Sequence, residues 1–348
     1  MSIRLADLTT LRVGGAVKQR VTPGSETDFI DAIREADATH TPLLVVGGGS
    51  NILASDDEFD GVVIQDQRQD IHVETESACG GVEFTVSAGT PWEDVVEAAV
   101  ANSWSGFEAL TGIPGSTGAT PVQNVGAYGQ EVRTLISQVR CWDRKTSQIR
   151  TFSVSELEFG YRDSLLKRSI GDMGYTPRYV VLSVRFHTRL ADLSAPVQYA
   201  ELAASLDVDL GQRVPARDVR QAVLGLRRGK GMVLDQHDHD TWSAGSFFTN
   251  PIIDHNLLPS GAPQFPADQG PPEVKTSAAW LISQSGIPRG FSLGTSAALS
   301  TKHVLALTNR GGASAHDLVT LARYVRDHVH TRYGIWLVPE PVLVGVSL

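Results

Sequence analysis

The sequence predicts an α+β protein of more than one domain, and three observations lead to this. Strand-like and helix-like segments both recur along the chain, and neither type prevails. The chain has 348 residues, which suggests two or three domains at roughly 100–200 residues per domain. Its hydrophobic fraction of 41% is close to that of ordinary globular proteins, so a sizeable core can be buried.

The first part of the chain has the pattern of a small α/β domain. Apolar residues have helical spacing over 28–37, and a buried strand over 42–46 leads directly into a run of glycines. Another strand is predicted over 61–64. We expect this domain to end near residue 68.

Strands and helices are also predicted beyond this domain. Strands are expected over 82–87, around 136–142 and over 179–188, and the tail segments 335–338 and 342–344 are strand-like. Helices are expected over 91–101, 217–226, 277–284 and 317–332. Residues 254–273 are rich in Pro, Gly and polar residues, which is typical of a surface loop.

Charge and cysteine content exclude several classes of function. The net charge of -9 argues against a nucleic-acid partner but not against a small anionic ligand. Cys79 and Cys141 are too few for a disulfide scaffold or a Cys-based metal site, and they favour a reducing cytoplasm. Neither a signal peptide nor a run of about 18 apolar residues occurs, so we expect no membrane span.

Two glycine-rich loops are the first candidates for a binding site. One is Gly47-Gly48-Gly49-Ser50-Asn51, and the other runs from Gly112 to Gly129. Successive N–H groups in such loops can hold an anion. Neither loop is a standard phosphate motif, since Ile52 stands where G-x-G-x-x-G requires its last glycine. Each alone is typical of a tight turn, whereas the two together favour a dinucleotide site of undetermined kind.

A series of short segments is more specific than either loop. The segments are TLRVGG at 10–15, GGGSNIL at 47–53, GIPGSTGATPVQNVGAYG at 112–129, FGYRDS at 159–164, AGSFFTNP at 244–251, AAWLI at 278–282 and LVPEP at 337–341. This series resembles the UDP-N-acetylenolpyruvoylglucosamine reductase family of peptidoglycan-precursor enzymes. The resemblance extends over nearly the whole chain.

The resemblance implies a fold, a cofactor and a reaction. It implies a two-domain FAD-binding core of the PCMH/vanillyl-alcohol-oxidase type and a third, α+β domain for the UDP-sugar. The implied domains are 1–68 joined by the tail 334–348, then 69–214, then 215–333. FAD is bound non-covalently, and NADPH reduces it. NADP+ then leaves before the enolpyruvyl substrate enters the same site, and hydride reaches C3 while a proton reaches C2.

The resemblance also implies which residues contact FAD. They are Gly47, Gly48, Gly49, Ser50, Asn51, Gly112, Gly115, Ser116, Gly118, Ala119, Asn124, Gly126 and Tyr128. Tyr128 is equally compatible with a packing aromatic.

Three residues match the catalytic positions of the family. Ser246 is the implied proton donor to C2, Arg162 the residue that holds the substrate carboxylate, and Glu340 a protonated partner of the same group. Without the resemblance these would be ordinary: Arg162 as a partner of Asp163, Ser246 as a turn serine and Glu340 as a solvated carboxylate.

The implied substrate-binding residues are Tyr199, Lys230, Asn250 and Gln284, of which the last three would contact the diphosphate. The stretch from Lys230 to Ser246 is longer than in the matching subtype, so Arg227 or Arg228 is an alternative to Lys230.

Several alternatives stay open at this point. The motif His237-Asp238-His239-Asp240 has metal-binding residue types, but no second cluster completes a site, so a polar loop and no metal are predicted. A related flavin oxidase would use oxygen and often a covalent His or Cys link, which neither glycine loop offers. A non-catalytic nucleotide-binding protein would lack the three catalytic residue types. We expect a monomeric enzyme in the cytoplasm.

Overall fold

The computed structural model describes residues 3–348. Over this range it contains seven α-helices: α1 Glu26–Ala38, α2 Trp92–Ala101, α3 Leu165–Arg168, α4 Ala200–Leu206, α5 Ala216–Gly229, α6 Ala278–Gln284 and α7 Ala315–Tyr333. The strands are β1 Val17–Val21, β2 Leu43–Val46, β3 Ile52–Ala54, β4 Phe59–Gln65, β5 Ile71–Ser77, β6 Gly81–Ser87, β7 Gly126–Ala127, β8 Gln130–Glu131, β9 Ile136–Asp143, β10 Gln148–Ser153, β11 Tyr179–Thr188, β12 Ile252–Asp254, β13 Gln264–Pro266, β14 Glu273–Thr276, β15 Ala297–Leu299, β16 Leu307–Asn309 and β17 Val342–Val344. The mixed architecture confirms the predicted α+β class.

The chain divides into two compact units. The first unit comprises the chain up to Val17 together with Gly49–Phe59 and Lys230–Leu348, and the second comprises Lys18–Gly48 and Asp60–Gly229. The finer division into domains 1–68, 69–214 and 215–333 stays a prediction. None of the helices within residues 3–348 is long and apolar enough to cross a membrane.

An antiparallel sheet of five strands, in the order β10-β9-β11-β6-β5, is the framework of the second unit. Its inner face carries aromatic side chains: Phe84 and Phe186 lie 5.4 Å apart between ring centroids, and Phe107 lies 5.4 Å from Phe186. Trp92 of α2 is 1% exposed and packs in the same cluster. Its indole N–H donates to the Leu110 carbonyl at 2.9 Å, which fixes the start of the second glycine loop.

A smaller sheet in the order β1-β4-β2 presents the first glycine loop. Strands β2 and β4 pair in parallel, and α1 covers them with the fully buried side chains of Phe29 and Ile33. Helix α1 begins at the N-cap Ser25, whose hydroxyl accepts the Asp28 N–H at 3.1 Å. Strand β2 is buried and ends at Val46, so Gly47 emerges at its carboxyl end.

Helix α7 and the hairpin β15–β16 form the core of the first unit together with α6. Helix α7 begins with a capping box between Ser314 and Asp317, and its first N–H, from Ala315, donates to the Asp56 carboxylate at 2.8 Å. Beside this core, β3 and β17 pair in parallel. This pairing joins the end of the first glycine loop to the C-terminal segment.

The tail segment 335–338 is not a strand, so this part of the prediction is wrong. Helix α7 ends at Gly334 in the left-handed conformation, and the chain continues in an irregular extended form. Ile335 and Leu337 are buried, whereas Trp336 is 48% and Val338 60% exposed. That alternation resembles a half-buried strand, but it arises from one side packing on the core without a continuous hydrogen-bonded partner.

The prediction of a surface loop over 254–273 is also partly wrong. The segment contains the short strand β13, which pairs antiparallel with β14. Pro266 is accommodated because it ends an edge strand, where its missing N–H costs little. The apolar side chains are nevertheless exposed, since Leu257 is 63% and Phe265 42% accessible.

A buried ion pair in the second unit generates a stability prediction. Asp143 is 3% exposed and accepts hydrogen bonds from Arg178 Nε at 2.7 Å and Nη2 at 2.6 Å. Burial opposes ionisation of this carboxyl, but the bonds from Arg178 and its other donors prevail and lower the pKa of Asp143 to about 2.

We therefore predict that Asp143→Asn lowers the free energy of unfolding by about 2 kcal/mol at pH 7, at 1.4 kcal/mol per unit of pKa. Because the folded pKa is depressed, the wild-type advantage is present above the ordinary pKa of 3.8 and declines as pH falls towards 2. Urea unfolding of the wild-type protein and of Asp143→Asn, between pH 7 and pH 2.5, measures this difference in the free energy of unfolding. The control is Asp172→Asn, which removes an exposed pair with Lys145; an unchanged difference at all pH values would contradict the assignment.

Candidate functional site

The two glycine loops lie directly against each other in the second unit. A β-carbon built on Gly47 would lie 2.0 Å from Ser116 Oγ, and one on Gly48 would lie 2.7 Å from Gly115 Cα. No side chain fits at such distances, so glycine is required for the approach. Two loops that are separated by more than sixty residues thus form one backbone surface.

That surface carries unpaired amides. Within residues 3–348, the N–H groups of Gly47, Gly48, Gly115 and Ser116 donate to no protein acceptor. Gly48 is exposed, so its N–H is open to solvent. Neighbouring N–H groups with no internal partner form an anion-binding concavity.

The entry to the second loop is fixed by Glu93, in the first turn of α2. Its carboxylate accepts the Gly112 N–H at 2.5 Å and the Thr111 hydroxyl at 2.7 Å. Arg220 of α5 donates to the same carboxylate at 2.8 Å. Helices α2 and α5 are therefore both coupled to the position of Gly112.

Asn124 and Arg162 meet further along the same loop. The Arg162 guanidinium donates to the Gly126 carbonyl at 2.8 Å and to the Asn124 carbonyl at 3.3 Å. Asp163 pairs with Arg168. The guanidinium of Arg162 thus lies on the predicted flavin loop, next to residues 124–126.

Three residues of this region have strained backbone conformations. Asn124, Tyr128 and Arg162 all have left-handed backbone conformations, with φ of 42°, 49° and 53°. Such conformations cost roughly 1–3 kcal/mol each for non-glycine residues and are frequent at functional sites. Asparagine tolerates them best, so the strain falls mainly on Tyr128 and Arg162.

Tyr128 and Tyr199 form an aromatic pair. Their ring centroids lie 5.4 Å apart in an edge-to-face arrangement. Tyr199 is the N-cap residue of α4 and is 43% exposed. The predicted substrate tyrosine is therefore beside the predicted flavin loop, and Tyr128 also packs on an apolar cluster that contains Val197 and Leu202.

The structure distinguishes the two arginines near the end of α5. Burial lowers the pKa of Arg227 to about 10, even though Tyr128 and Glu93 act in the opposite direction. Arg228 is exposed. Arg227 is thus the one whose charge lies among predicted site residues, while Lys230 follows the end of α5 and begins the next stretch of the first unit.

Ser246 and Glu340 are brought together in the first unit. The Glu340 N–H donates to the Phe247 carbonyl at 2.9 Å, and the Thr249 N–H donates to the Val338 carbonyl at 3.0 Å. This antiparallel pairing places Glu340 opposite the residue that follows Ser246. Asn51 Nδ2 also donates to the Glu340 carbonyl at 3.3 Å, so the end of the first glycine loop reaches the same place.

The remaining predicted substrate residues lie at the two ends of α6. Asn250 Oδ1 accepts the Ala278 N–H at 3.0 Å and therefore caps the helix. Gln284 is the last helical residue and is exposed. Seven residues of helix separate the two ends by about 10 Å, so these amides do not form one cluster.

The motif at 237–240 forms a polar loop with structural ion pairs. Asp238 pairs with Lys302, and buried Asp240 accepts from Thr301 and from Arg310 Nη1 at 2.8 Å. No group of three or more His, Cys, Asp or Glu side chains within residues 3–348 is arranged to hold a metal ion.

Sequence comparisons identify the family. The family model described as the UDP-N-acetylenolpyruvoylglucosamine reductase C-terminal domain matches residues 236–344, and an FAD binding domain model matches residues 17–153. The UDP-N-acetylenolpyruvoylglucosamine reductase of Cutibacterium acnes is 49% identical, with 99% of this chain and 90% of that protein covered. That of Streptomyces coelicolor is 48% identical with the same coverage. The chain belongs to the UDP-N-acetylenolpyruvoylglucosamine reductase family.

A solved structure of this family has the same fold. The reductase of Thermus caldophilus superposes with a TM-score of 0.65 at 24% identity, over 99% of this chain and 98% of that one. The chain is thus an FAD-dependent oxidoreductase of peptidoglycan precursor synthesis. The predicted family, fold and flavin cofactor are confirmed.

The second unit has features that fit FAD. The unpaired amides of the two loops suit a pyrophosphate. Asn124 is 0% exposed, and its Nδ2 donates to Glu131 at 3.1 Å and to the Gly160 carbonyl at 2.8 Å. Its Oδ1 is buried and has no hydrogen-bond partner within residues 3–348. A buried acceptor without a partner is costly, so it fits a donor supplied by a ligand.

Sequence reasoning missed Glu93 and Glu108. Glu93 has no sequence signal beyond its place in the first turn of α2, although it holds the second loop. Glu108 is 1% exposed, and burial raises its pKa despite the backbone N–H groups that its carboxylate accepts. A charged residue between Phe107 and Ala109 of an apolar stretch is the one signal that indicates a buried carboxylate.

We predict that Gly47→Ala weakens FAD retention at least tenfold, since the new β-carbon would displace Ser116 and with it the amide surface. The flavin-to-protein absorbance ratio after gel filtration measures it. Gly225→Ala is the matched control, because a β-carbon there has open space within α5. Full flavin occupancy in Gly47→Ala would show that the close approach of the loops does not matter for the cofactor.

Proposed function

We propose that the protein reduces UDP-N-acetylglucosamine enolpyruvate to UDP-N-acetylmuramate, with NADPH as the reductant and non-covalently bound FAD as the carrier. The observation that supports this best is the backbone pairing of the segment that follows Ser246 with the segment that carries Glu340, at the end of the first glycine loop. Ser246 and Glu340 are both half-buried, so a ligand can reach them. We further propose that the protein is a monomer and, from its low cysteine content, that it is located in the cytoplasm.

The charged and polar residues of the proposed site would have different roles in the reaction. When bound, the flavin supplies the hydride that C3 of the enolpyruvyl group accepts. Negative charge then develops at C2 and the carboxylate, and the Arg162 guanidinium is suited to hold that carboxylate. Protonated Glu340 would donate a hydrogen bond to the same group. The Ser246 hydroxyl would deliver the proton to C2, which completes the reduction.

The UDP portion requires cations and amides. We propose that Tyr199 contacts the substrate and that Lys230, Asn250 and Gln284 serve the diphosphate. Arg227 is the better alternative to Lys230, since it is half-buried near Tyr128 whereas Arg228 is exposed. The side-chain oxygen of Asn250 caps α6, so a contact with the diphosphate would be made by its side-chain NH2 group.

The proposed FAD contacts come from the two glycine loops. We propose that the amides of Gly47, Gly48, Gly49, Gly115 and Ser116 hold the FAD pyrophosphate, and that Asn124 and Gly126 contact the flavin. Ser50, Asn51, Gly112, Gly118, Ala119 and Tyr128 complete the proposed set. Gly118 has a packing role in addition, since a β-carbon there would lie 2.6 Å from Ala88 Cβ.

We predict that Ser246→Ala slows reoxidation of the reduced enzyme by the enolpyruvyl sugar by a factor of about 10²–10⁴, the usual contribution of a general acid. Reduction by NADPH should change less than about twofold, because that step needs no proton at C2. Anaerobic stopped-flow absorbance measures each half-reaction separately.

The matched control is Ser283→Ala, an exposed serine of α6 in the same unit. It should leave both rates unchanged. Normal reoxidation of Ser246→Ala would show that another group protonates C2. Loss of both half-reactions would point to damage at the flavin instead.

A further inference from the structure

A buried carboxylate just before the second glycine loop is hydrogen-bonded to the segment that leads to Tyr199. Glu108 is 1% exposed, and its two oxygens accept different backbone donors. Oε2 accepts the Gly106 N–H at 2.7 Å, and Oε1 accepts the Ala195 N–H at 2.5 Å. The second bond spans 87 residues of sequence, so Glu108 links two distant parts of the second unit.

The segment 189–197 is held by hydrogen bonds at several of its residues, including the bond from the Ser194 N–H to the Val214 carbonyl at 2.8 Å. The Ala191 N–H donates to the Ser103 carbonyl at 2.8 Å, and the Leu193 carbonyl accepts the Ser105 hydroxyl at 3.1 Å. Near its far end, the Val197 N–H donates to the Gln212 carbonyl at 2.9 Å. The bond from the Ala195 N–H to Glu108 is charge-assisted, as is the neighbouring bond from Arg213 Nη1 to the Ser194 carbonyl at 3.2 Å, and charge-assisted bonds are the stronger kind.

Glu108 and its partner Ala195 are each separated by the same number of residues from a predicted site residue. Four residues along the chain lead from Glu108 to Gly112, and four lead from Ala195 to Tyr199. Ala109 next to it packs in one apolar cluster with Val197 and Tyr128. The Tyr199 ring then meets Tyr128 at 5.4 Å. The carboxylate therefore helps to set how Tyr199 is placed relative to the second glycine loop.

Glu93 provides a useful contrast. It also accepts a loop N–H, but that N–H belongs to Gly112, at 2.5 Å. The flavin loop thus has its own carboxylate anchor, independent of Ala195. Loss of the bond from Glu108 to Ala195 should then disturb Tyr199 without releasing Gly112.

We propose that Glu108 is a positioning residue that holds Tyr199 in place for the UDP-sugar, and this rests on the proposed role of Tyr199 as a substrate contact. Glu108 touches neither substrate nor cofactor. It acts through the Ala195 N–H and the short segment that follows it, so its removal weakens substrate binding and leaves flavin chemistry intact.

The first test is Glu108→Gln in the FAD-loaded enzyme. Glutamine keeps the shape but turns one acceptor into an NH2 donor, which must face an N–H group. We expect KM for UDP-N-acetylglucosamine enolpyruvate to rise about tenfold, kcat to change less than about twofold, and the rate of flavin reduction by NADPH to stay within about twofold. Glu108→Asp, which keeps the charge but has a shorter reach, is the second variant if Glu108→Gln does not fold.

The second test is a double-mutant cycle with Tyr199→Ala. If Glu108 acts through Tyr199, Glu108→Gln adds little to the KM of Tyr199→Ala, whereas independent effects multiply. Glu93→Gln is the matched control for loss of a carboxylate that accepts a loop N–H; it should lower FAD retention.

The outcomes separate this proposal from the proposed function. Multiplicative effects in the cycle, or an unchanged KM in Glu108→Gln, overturn the positioning role. A Tyr199→Ala enzyme with normal KM also overturns it. Wild-type enzyme that is reduced by NADPH but not reoxidised by the enolpyruvyl sugar overturns the proposed function instead.

Discussion

The close approach of two backbone loops is the constraint on which the rest of the second unit depends. Gly47 and Gly48 lie so near Ser116 and Gly115 that neither position has room for a β-carbon. The approach leaves a set of amides without protein partners, which is the chemistry that a pyrophosphate requires. Strand β2 delivers the first loop at its carboxyl end, and the start of α2 holds the second loop, because the Trp92 N–H donates to the Gly115 carbonyl at 3.0 Å.

Carboxylates on or near α2 extend this arrangement towards Tyr199, the proposed substrate contact. Glu93 fixes the first residues of the second loop, and Glu108 fixes the segment that leads to Tyr199. Both accept backbone N–H groups, so they constrain where the chain runs. Strained residues such as Tyr128 and Arg162 can persist beside them because the surrounding backbone is held at several points.

Much of this could be predicted from the sequence, for identifiable reasons. The strand at 42–46 and the helix at 317–332 have strong periodic patterns, and both exist with nearly the predicted bounds. The glycine loops could be found because glycine has few other uses at such density. The segment 335–338 is predicted as a strand because all four of its residues are apolar. Two of them, Trp336 and Val338, are in fact exposed, and the segment has no continuous hydrogen-bonded partner.

The parts that could not be predicted depend on contacts between distant residues. Nothing local shows that Glu108 accepts an N–H from Ala195, because the pairing exists only once the five-stranded sheet and its loops are assembled. The degree of burial likewise distinguishes Arg227 from Arg228, which the sequence alone does not distinguish. The resemblance supplied the proposed roles of Ser246 and Glu340, and the backbone pairing between their segments is compatible with these roles.

The central claim is that one flavin passes electrons from NADPH to an enolpyruvyl sugar. The measurement that tests it most directly is the absorbance spectrum of the purified protein during anaerobic addition of NADPH, followed by UDP-N-acetylglucosamine enolpyruvate. We expect the flavin band to bleach with the first addition and to return fully with the second. A band that bleaches but returns only on admission of oxygen would contradict the substrate and favour a flavin oxidase, and a protein that binds no FAD would contradict the whole account.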